Sequence, residues 1–160
     1  MSTKMTGQNL TRSFEINNPK DIKIACVVSE WHYEITENLL SGVKEKLLSF
    51  GLLEKNIHEI NVPGSFELIF GTKTLINKDY DAIISIGCII KGETKHFDFI
   101  SDAVVNGIKD LNILSSIPII LCVSTDNNIQ QSIDRSGGKY GNKGEYAAEA
   151  ALKMILINSK

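Results

Sequence analysis

The chain has 160 residues, 42% of them hydrophobic, and a formal charge of −2 at neutral pH. That is the length of one domain with apolar content for one sizeable core, and the lack of a basic run argues against nucleic acid or an acidic membrane as a partner. The first twenty residues lack the apolar stretch of a signal peptide, and no apolar run is long enough to cross a bilayer. Cys26, Cys88 and Cys122 are odd in number and sit in or beside apolar runs, which reads as reduced thiols in a cytoplasmic protein.

Residues 1–18 read as a flexible or partner-docked N-terminal arm, and residues 19–160 as a single domain. Apolar and β-branched residues 22–28 predict a buried strand. A helix follows over 33–50, with Ile35, Leu39, Val43 and Leu47 four apart and Gly51 as its stop. Residues 57–62 predict a second strand. Pro63-Gly64 breaks the chain, and a helix over 65–76 carries Glu67 in its first turn, where the helix dipole favours an anion. Residues 82–86 are apolar except for Ser85, as suits a strand covered on both faces.

Residues 87–97 read as a glycine-broken loop, and 97–111 as a helix with Phe99, Ala103, Val104, Ile108 and Leu111 on one side. Residues 119–123, led by Pro118, predict a fourth strand. A short helix over 127–135 has a capping box in Asn127 and Gln130. Residues 137–144 form a glycine-rich kink, and 145–157 a last helix. Alternating strands and helices call for an α/β fold with a parallel sheet covered on both faces. The simplest arrangement is a flavodoxin-like three-layer sandwich with a four-stranded parallel sheet in the order 2-1-3-4. Its ligand crevice lies at the carboxyl ends of the strands.

Each strand end carries chemistry. Trp31, the sole tryptophan, is either a platform for a planar heterocycle or a loop anchor. Ser65, Phe66 and Glu67 open a helix whose N–H groups can read a polar ligand, or they are ordinary capping. His96 suits proton exchange near neutral pH and follows a possible anion cradle at 92–94; His32 and His58 have weaker claims. Arg135 either forks onto a phosphate or is a surface arginine favoured at a helix C-terminus. Gly138 and Lys143 do not have Walker spacing, so a sharp turn accounts for the glycines there.

Three motifs in order, Pro63-Gly64-Ser65-Phe66-Glu67, Gly92-Glu93-Thr94-Lys95-His96-Phe97-Asp98 and Gly141-Asn142-Lys143-Gly144, make the chain resemble the lumazine synthase family from about residue 22 onward. The resemblance implies condensation of 5-amino-6-(D-ribitylamino)uracil with 3,4-dihydroxy-2-butanone 4-phosphate, with loss of phosphate and water and with no metal or redox cofactor. It implies that Trp31, Ser65, Phe66, Glu67, Cys88, Ile89, Ile90, Leu121 and Lys143 meet the pyrimidine and its ribityl chain. It assigns Glu93, Thr94 and Arg135 to the phosphate and His96 to proton transfer.

The sequence departs from the family pattern at two of these places. Leu121 stands where many relatives have a phenylalanine at the end of the fourth strand, contributed across a subunit boundary, and Tyr146 stands where many have an acidic residue. The resemblance also implies pentamers with shared sites, favours closure of twelve pentamers into a 60-subunit icosahedral shell over a free pentamer, and makes riboflavin synthase a candidate associate. Two other readings stay open: a non-catalytic flavin or lumazine carrier or shell protein of the same fold, and an archaeal-type riboflavin synthase. The loop at 92–96 and Arg135 suit a phosphorylated substrate and argue against the latter.

Overall fold

Ile24–Ser29 (β1) is buried along its whole length, which its run of apolar and small residues allows. Tyr33–Ser49 (α1) follows and turns Ile35, Leu39, Leu40, Val43 and Leu47 inward. Ile57–Val62 (β2) is an edge strand and exposes His58, Glu59 and Asn61. Then come Leu68–Lys73 (α2), Ala82–Ile90 (β3), His96–Leu114 (α3), Ile119–Asp126 (β4), Ile129–Arg135 (α4), the short strands Ser136–Gly138 (β5) and Gly141–Asn142 (β6), and Lys143–Asn158 (α5). The computed structural model describes residues 13–158.

The main sheet is parallel in the order β2-β1-β3-β4, as predicted. Alternate residues of the central strands enter two cores. One holds Cys26, Val28, Ile84 and Ile86 beneath α1 and α5. The other holds Ala25, Val27 and Ile83 beneath α2 and α3. Together the sheet and its two helix layers make the expected three-layer α/β sandwich. All three cysteines are buried and unpaired; burial pushes the Cys26 and Cys122 thiols up to about 12. The first twelve residues of the predicted arm lie outside the described residues. Within the rest of it, Phe14 stacks on Phe50 at 5.0 Å between ring centroids, and Ile16 packs on the α1/α5 core.

Several boundaries differ from the sequence reading. β3 does not stop at Ile86 but runs through Gly87 to Ile90. Gly87 is a close-approach residue rather than a breaker: a Cβ there would meet Leu68 Cδ1 and Ser65 Oγ at 2.8 Å. β4 likewise continues to Asp126, because Val123 to Asp126 pair with the extended end of β3. α2 is shorter than the predicted 65–76. Ser65 does not cap it, since its hydroxyl donates to the Cys88 carbonyl instead (3.3 Å). The cap of α4 is Asn128, not Asn127: the Gln131 N–H donates to Asn128 Oδ1 at 3.0 Å, and the Asn127 N–H donates to Gln131 Oε1 at 2.9 Å. The glycine-rich kink is a small antiparallel hairpin, β5–β6, with Gly137 and Gly141 in the left-handed region.

The hairpin is tied to α1 by Asn142, whose Nδ2 donates to the Asn38 carbonyl at 2.7 Å. Next to it, the Gly144 backbone lies so close to α1 that a side-chain carbon would overlap the Leu39 carbonyl oxygen. Gly144→Ala is therefore expected to lower unfolding free energy by about 1–3 kcal/mol, read from urea melts; an unchanged midpoint would mean that α5 does not need this approach.

Candidate active site

The pairing of β1 with β3 stops at Val28 and Ile86, yet β3 and β4 remain paired to Ile90 and Asp126. The sheet thus has a step at its carboxyl end. On the β1 side, residues 87–90 have no strand beside them. In this fold class the ligand crevice lies at such an edge; here Ser65 takes the Cys88 carbonyl on it.

The loops after β1 and β2 are bonded to each other. The Glu30 N–H donates to the Val62 carbonyl (2.8 Å), and the Trp31 N–H donates to the Pro63 carbonyl (3.2 Å). These bonds hold Trp31 beside the Pro63-to-Glu67 turn. Trp31 is 68% exposed and Phe66 51% exposed, so both present apolar surface to solvent. His32 enters α1 with φ of 60° and sets its imidazole edge against Trp31, 6.2 Å between centroids. Burial holds its imidazole below the ordinary histidine value. Ser65 is buried, and through Cys88 it fastens the β2–α2 turn to β3. Glu67 is exposed and stands just before α2.

The β3–α3 loop supplies the anion side. Residues 91–96 are all exposed. At the start of α3, a helix of 19 residues, the Asp98 and Phe99 N–H groups donate to the Lys95 carbonyl (3.1 and 3.3 Å), and in the first turn only the Phe97 N–H has no partner among the described residues. The His96 N–H donates to Thr94 Oγ1 at 3.3 Å, which shapes the loop. No hydrogen bond or ion pair among the described residues occupies the His96 ring, so it is available to a ligand.

Arg135, at the end of α4, lies on the other helix layer. Its Nη1 donates to the Gln131 carbonyl at 3.0 Å and lies 3.9 Å from Asp126 Oδ1; its guanidinium sits 5.3 Å from the Tyr140 ring centroid. No hydrogen bond, ion pair or ring contact among the described residues joins it to residues 91–96.

A family model described as 6,7-dimethyl-8-ribityllumazine synthase matches residues 21–159. A protein of that name from Flavobacterium psychrophilum is 56% identical over 146 residues, covering 91% of this chain and 77% of the relative. Another from Christiangramia forsetii is 53% identical over 155 residues, covering 94% and 92%. A third, from Parabacteroides distasonis, is 45% identical over 156 residues, covering 95% and 97%. The chain belongs to the 6,7-dimethyl-8-ribityllumazine synthase family.

Within one chain the fold gathers only some of the residues that the lumazine synthase resemblance singled out. Trp31, Ser65, Phe66, Glu67, Cys88, Ile89, Ile90, Glu93, Thr94 and His96 stand on the strand ends and loops around the step. Cys88 and Ile89 are buried, so what they can offer a ring is backbone. Leu121 is not at the end of β4. Because β4 runs on to Asp126, Leu121 is its third residue, level with Ser85, 40% exposed on the edge strand. Lys143 begins α5, with its ammonium 5.0 Å from the Tyr146 ring centroid. His58 has a structural role: its Nδ1 meets the Tyr80 hydroxyl at 2.9 Å, and its Nε2 meets the Lys55 carbonyl at 3.0 Å.

The sequence reading missed Asp126 and Ser132. Asp126 is buried, and both Ser132 Oγ (2.8 Å) and Ser124 Oγ donate to its Oδ2. Cys88 Sγ in turn donates to Ser132 Oγ at 3.5 Å. The available signal was an acid at a strand end three residues before a helix. Among the described residues no group of three or more His, Cys, Asp or Glu is placed to hold a metal ion.

Burial raises the Cys88 thiol as well. All three native thiols are therefore expected to resist a bulky thiol reagent at neutral pH and to react fully in denaturant. A fast-reacting native thiol would place Cys88 in an open crevice floor.

Proposed function

We propose that this chain condenses 5-amino-6-(D-ribitylamino)uracil with 3,4-dihydroxy-2-butanone 4-phosphate in riboflavin biosynthesis. The observation that carries this reading is the step in the sheet, with the exposed aromatic residues Trp31 and Phe66 on one side of it and the exposed loop 91–96 that opens α3 on the other. Trp31 and Phe66 provide faces for the pyrimidine, and the backbone of residues 88–90 provides donors and acceptors for its edges. Glu67 and Ser65 stand where the ribityl chain passes. Glu93, Thr94 and the first turn of α3 receive the phosphate, which Arg135 completes.

The chemistry asks little more of the protein. The 5-amino group adds to the ketone, water leaves to give an imine, phosphate is eliminated, and the ribitylamino nitrogen then closes the second ring on the remaining carbonyl with loss of a second water. Each step moves protons, and His96 at the start of α3 is the group suited to carry them. Holding the two reactants together contributes roughly 7–11 kcal/mol in favourable cases. A fixed cation at the departing phosphate stabilises the charge that develops there.

Leu121, Arg135 and Lys143 are displaced from the step within one chain, and a second copy supplies them. Exposed Leu121 on edge strand β4 and the Arg135 hairpin face are the surfaces that copy brings. This supports a cyclic homo-oligomer with sites at its junctions, a pentamer by the family resemblance. The compact hairpin without insertion favours closure into an icosahedral shell. No helix among the described residues is long and apolar enough to cross a membrane. The unpaired cysteines fit a reducing compartment, the cytoplasm.

Purified protein is expected to turn the two substrates into a fluorescent lumazine. His96→Ala is expected to lower kcat about 100-fold or more with the circular dichroism spectrum unchanged. Tight quenching of Trp31 fluorescence by riboflavin without turnover would point instead to a carrier. Riboflavin formed from the lumazine alone would point to a riboflavin synthase.

A further inference from the structure

Arg135 is a long, flexible side chain at the last position of a seven-residue helix. A guanidinium in that place gains reach at the cost of about 2 kcal/mol of rotamer entropy when it is fixed. Here it is fixed from three directions. The Gln131 carbonyl takes Nη1, the Asp126 carboxylate lies beside the same nitrogen, and the Tyr140 ring centroid lies 5.3 Å from the guanidinium carbon. Nε and Nη2 have no partner among the described residues. That free edge is the side-on fork that takes two oxygens of one phosphate.

Asp126 is itself held. It is the last residue of β4, in register with Ile90, and its side chain is almost wholly buried. Two serine hydroxyls donate to Oδ2 and fix the carboxylate plane, which leaves Oδ1 toward Arg135. The Asp126 carbonyl accepts from the Lys91 N–H at 2.9 Å, so the same residue anchors the start of the β3–α3 loop. A buried carboxylate needs a cation or strong donors nearby. Arg135 is the cation recorded beside it.

We infer that Asp126, held by Ser132, is a positioning residue for Arg135: it holds Nη1 so that the Nε/Nη2 edge is presented to the phosphate of the substrate. It touches neither substrate and acts through the guanidinium. This rests on the reading of Arg135 as the phosphate ligand.

The test is steady-state kinetics of the assembled enzyme with inorganic phosphate as a competing ligand. Asp126→Asn keeps the shape and an acceptor for the serines but removes the charge beside Nη1. The KM for the butanone phosphate and the inhibition constant of inorganic phosphate are both expected to rise about tenfold, with the KM for the pyrimidine unchanged. Ser132→Ala is the milder variant, should Asp126→Asn fail to fold, and is expected to shift the same two constants by a smaller factor. In an Arg135→Lys background, which keeps the charge but loses the fork, Asp126→Asn is expected to add nothing.

A rise in both KM values together, or phosphate inhibition that is unchanged or tighter, overturns the proposal. If Arg135→Ala leaves phosphate inhibition untouched, the phosphate role of Arg135 falls and the proposal with it. If Arg135→Ala weakens that inhibition while Asp126→Asn and Ser132→Ala do not, the positioning role alone falls.

Discussion

The arrangement depends on one mismatch of lengths: β3 and β4 outrun β1 at the carboxyl end of the sheet. A sheet whose strands ended together would offer a ligand only loops. Here residues 87–90 have a strand on one side and the β2–α2 turn on the other. The mismatch exists because Gly87 lets the β2–α2 turn press against the strand, where Ser65 and Leu68 occupy the space a side chain would take. Ser65 then binds the Cys88 carbonyl and holds the turn in place. Shape and polarity at the crevice follow from that contact.

The two helix layers divide the chemistry. The α2/α3 layer gives the start of α3 and His96, while the α1/α5 layer carries α4 and the hairpin with Arg135. On the proposed reading, a phosphorylated substrate meets both only where two copies join. Of the two departures from the family pattern, Leu121 lies exposed on edge strand β4 and Tyr146 in the first turn of α5 beside Lys143. Leucine keeps apolar contact with a ring but has no face to stack.

The helices that pack by simple periodicity were legible from the sequence. Ile35, Leu39, Val43 and Leu47 set α1 by spacing alone, and apolar runs flanked by turns set all four main strands and their order. The carboxyl ends of β3 and β4 were not, though β2 matched its predicted bounds. Gly87 has the form of a breaker, and only its tertiary neighbours make it a strand residue. Leu121 was placed at a strand end for the same reason, since β4 was read three residues short. Among site residues, Trp31, Ser65 and His96 stood out as unusual types at strand ends. Asp126 did not, because an acid before a helix ordinarily caps it, and its burial appears only once β3 and β4 are paired to their ends.

The central claim is that phosphate capture and proton transfer come from different copies of the chain meeting at one junction. Mixing His96→Ala with Arg135→Ala protein, dissociating and reassembling them together, and assaying lumazine formation tests it most directly. A junction that pairs the intact His96 of one copy with the intact Arg135 of its neighbour is active, so the account predicts a substantial recovery of rate from two nearly inactive proteins. A mixture that reassembles fully and stays as inactive as its parents would contradict it, because both groups would then have to come from a single chain.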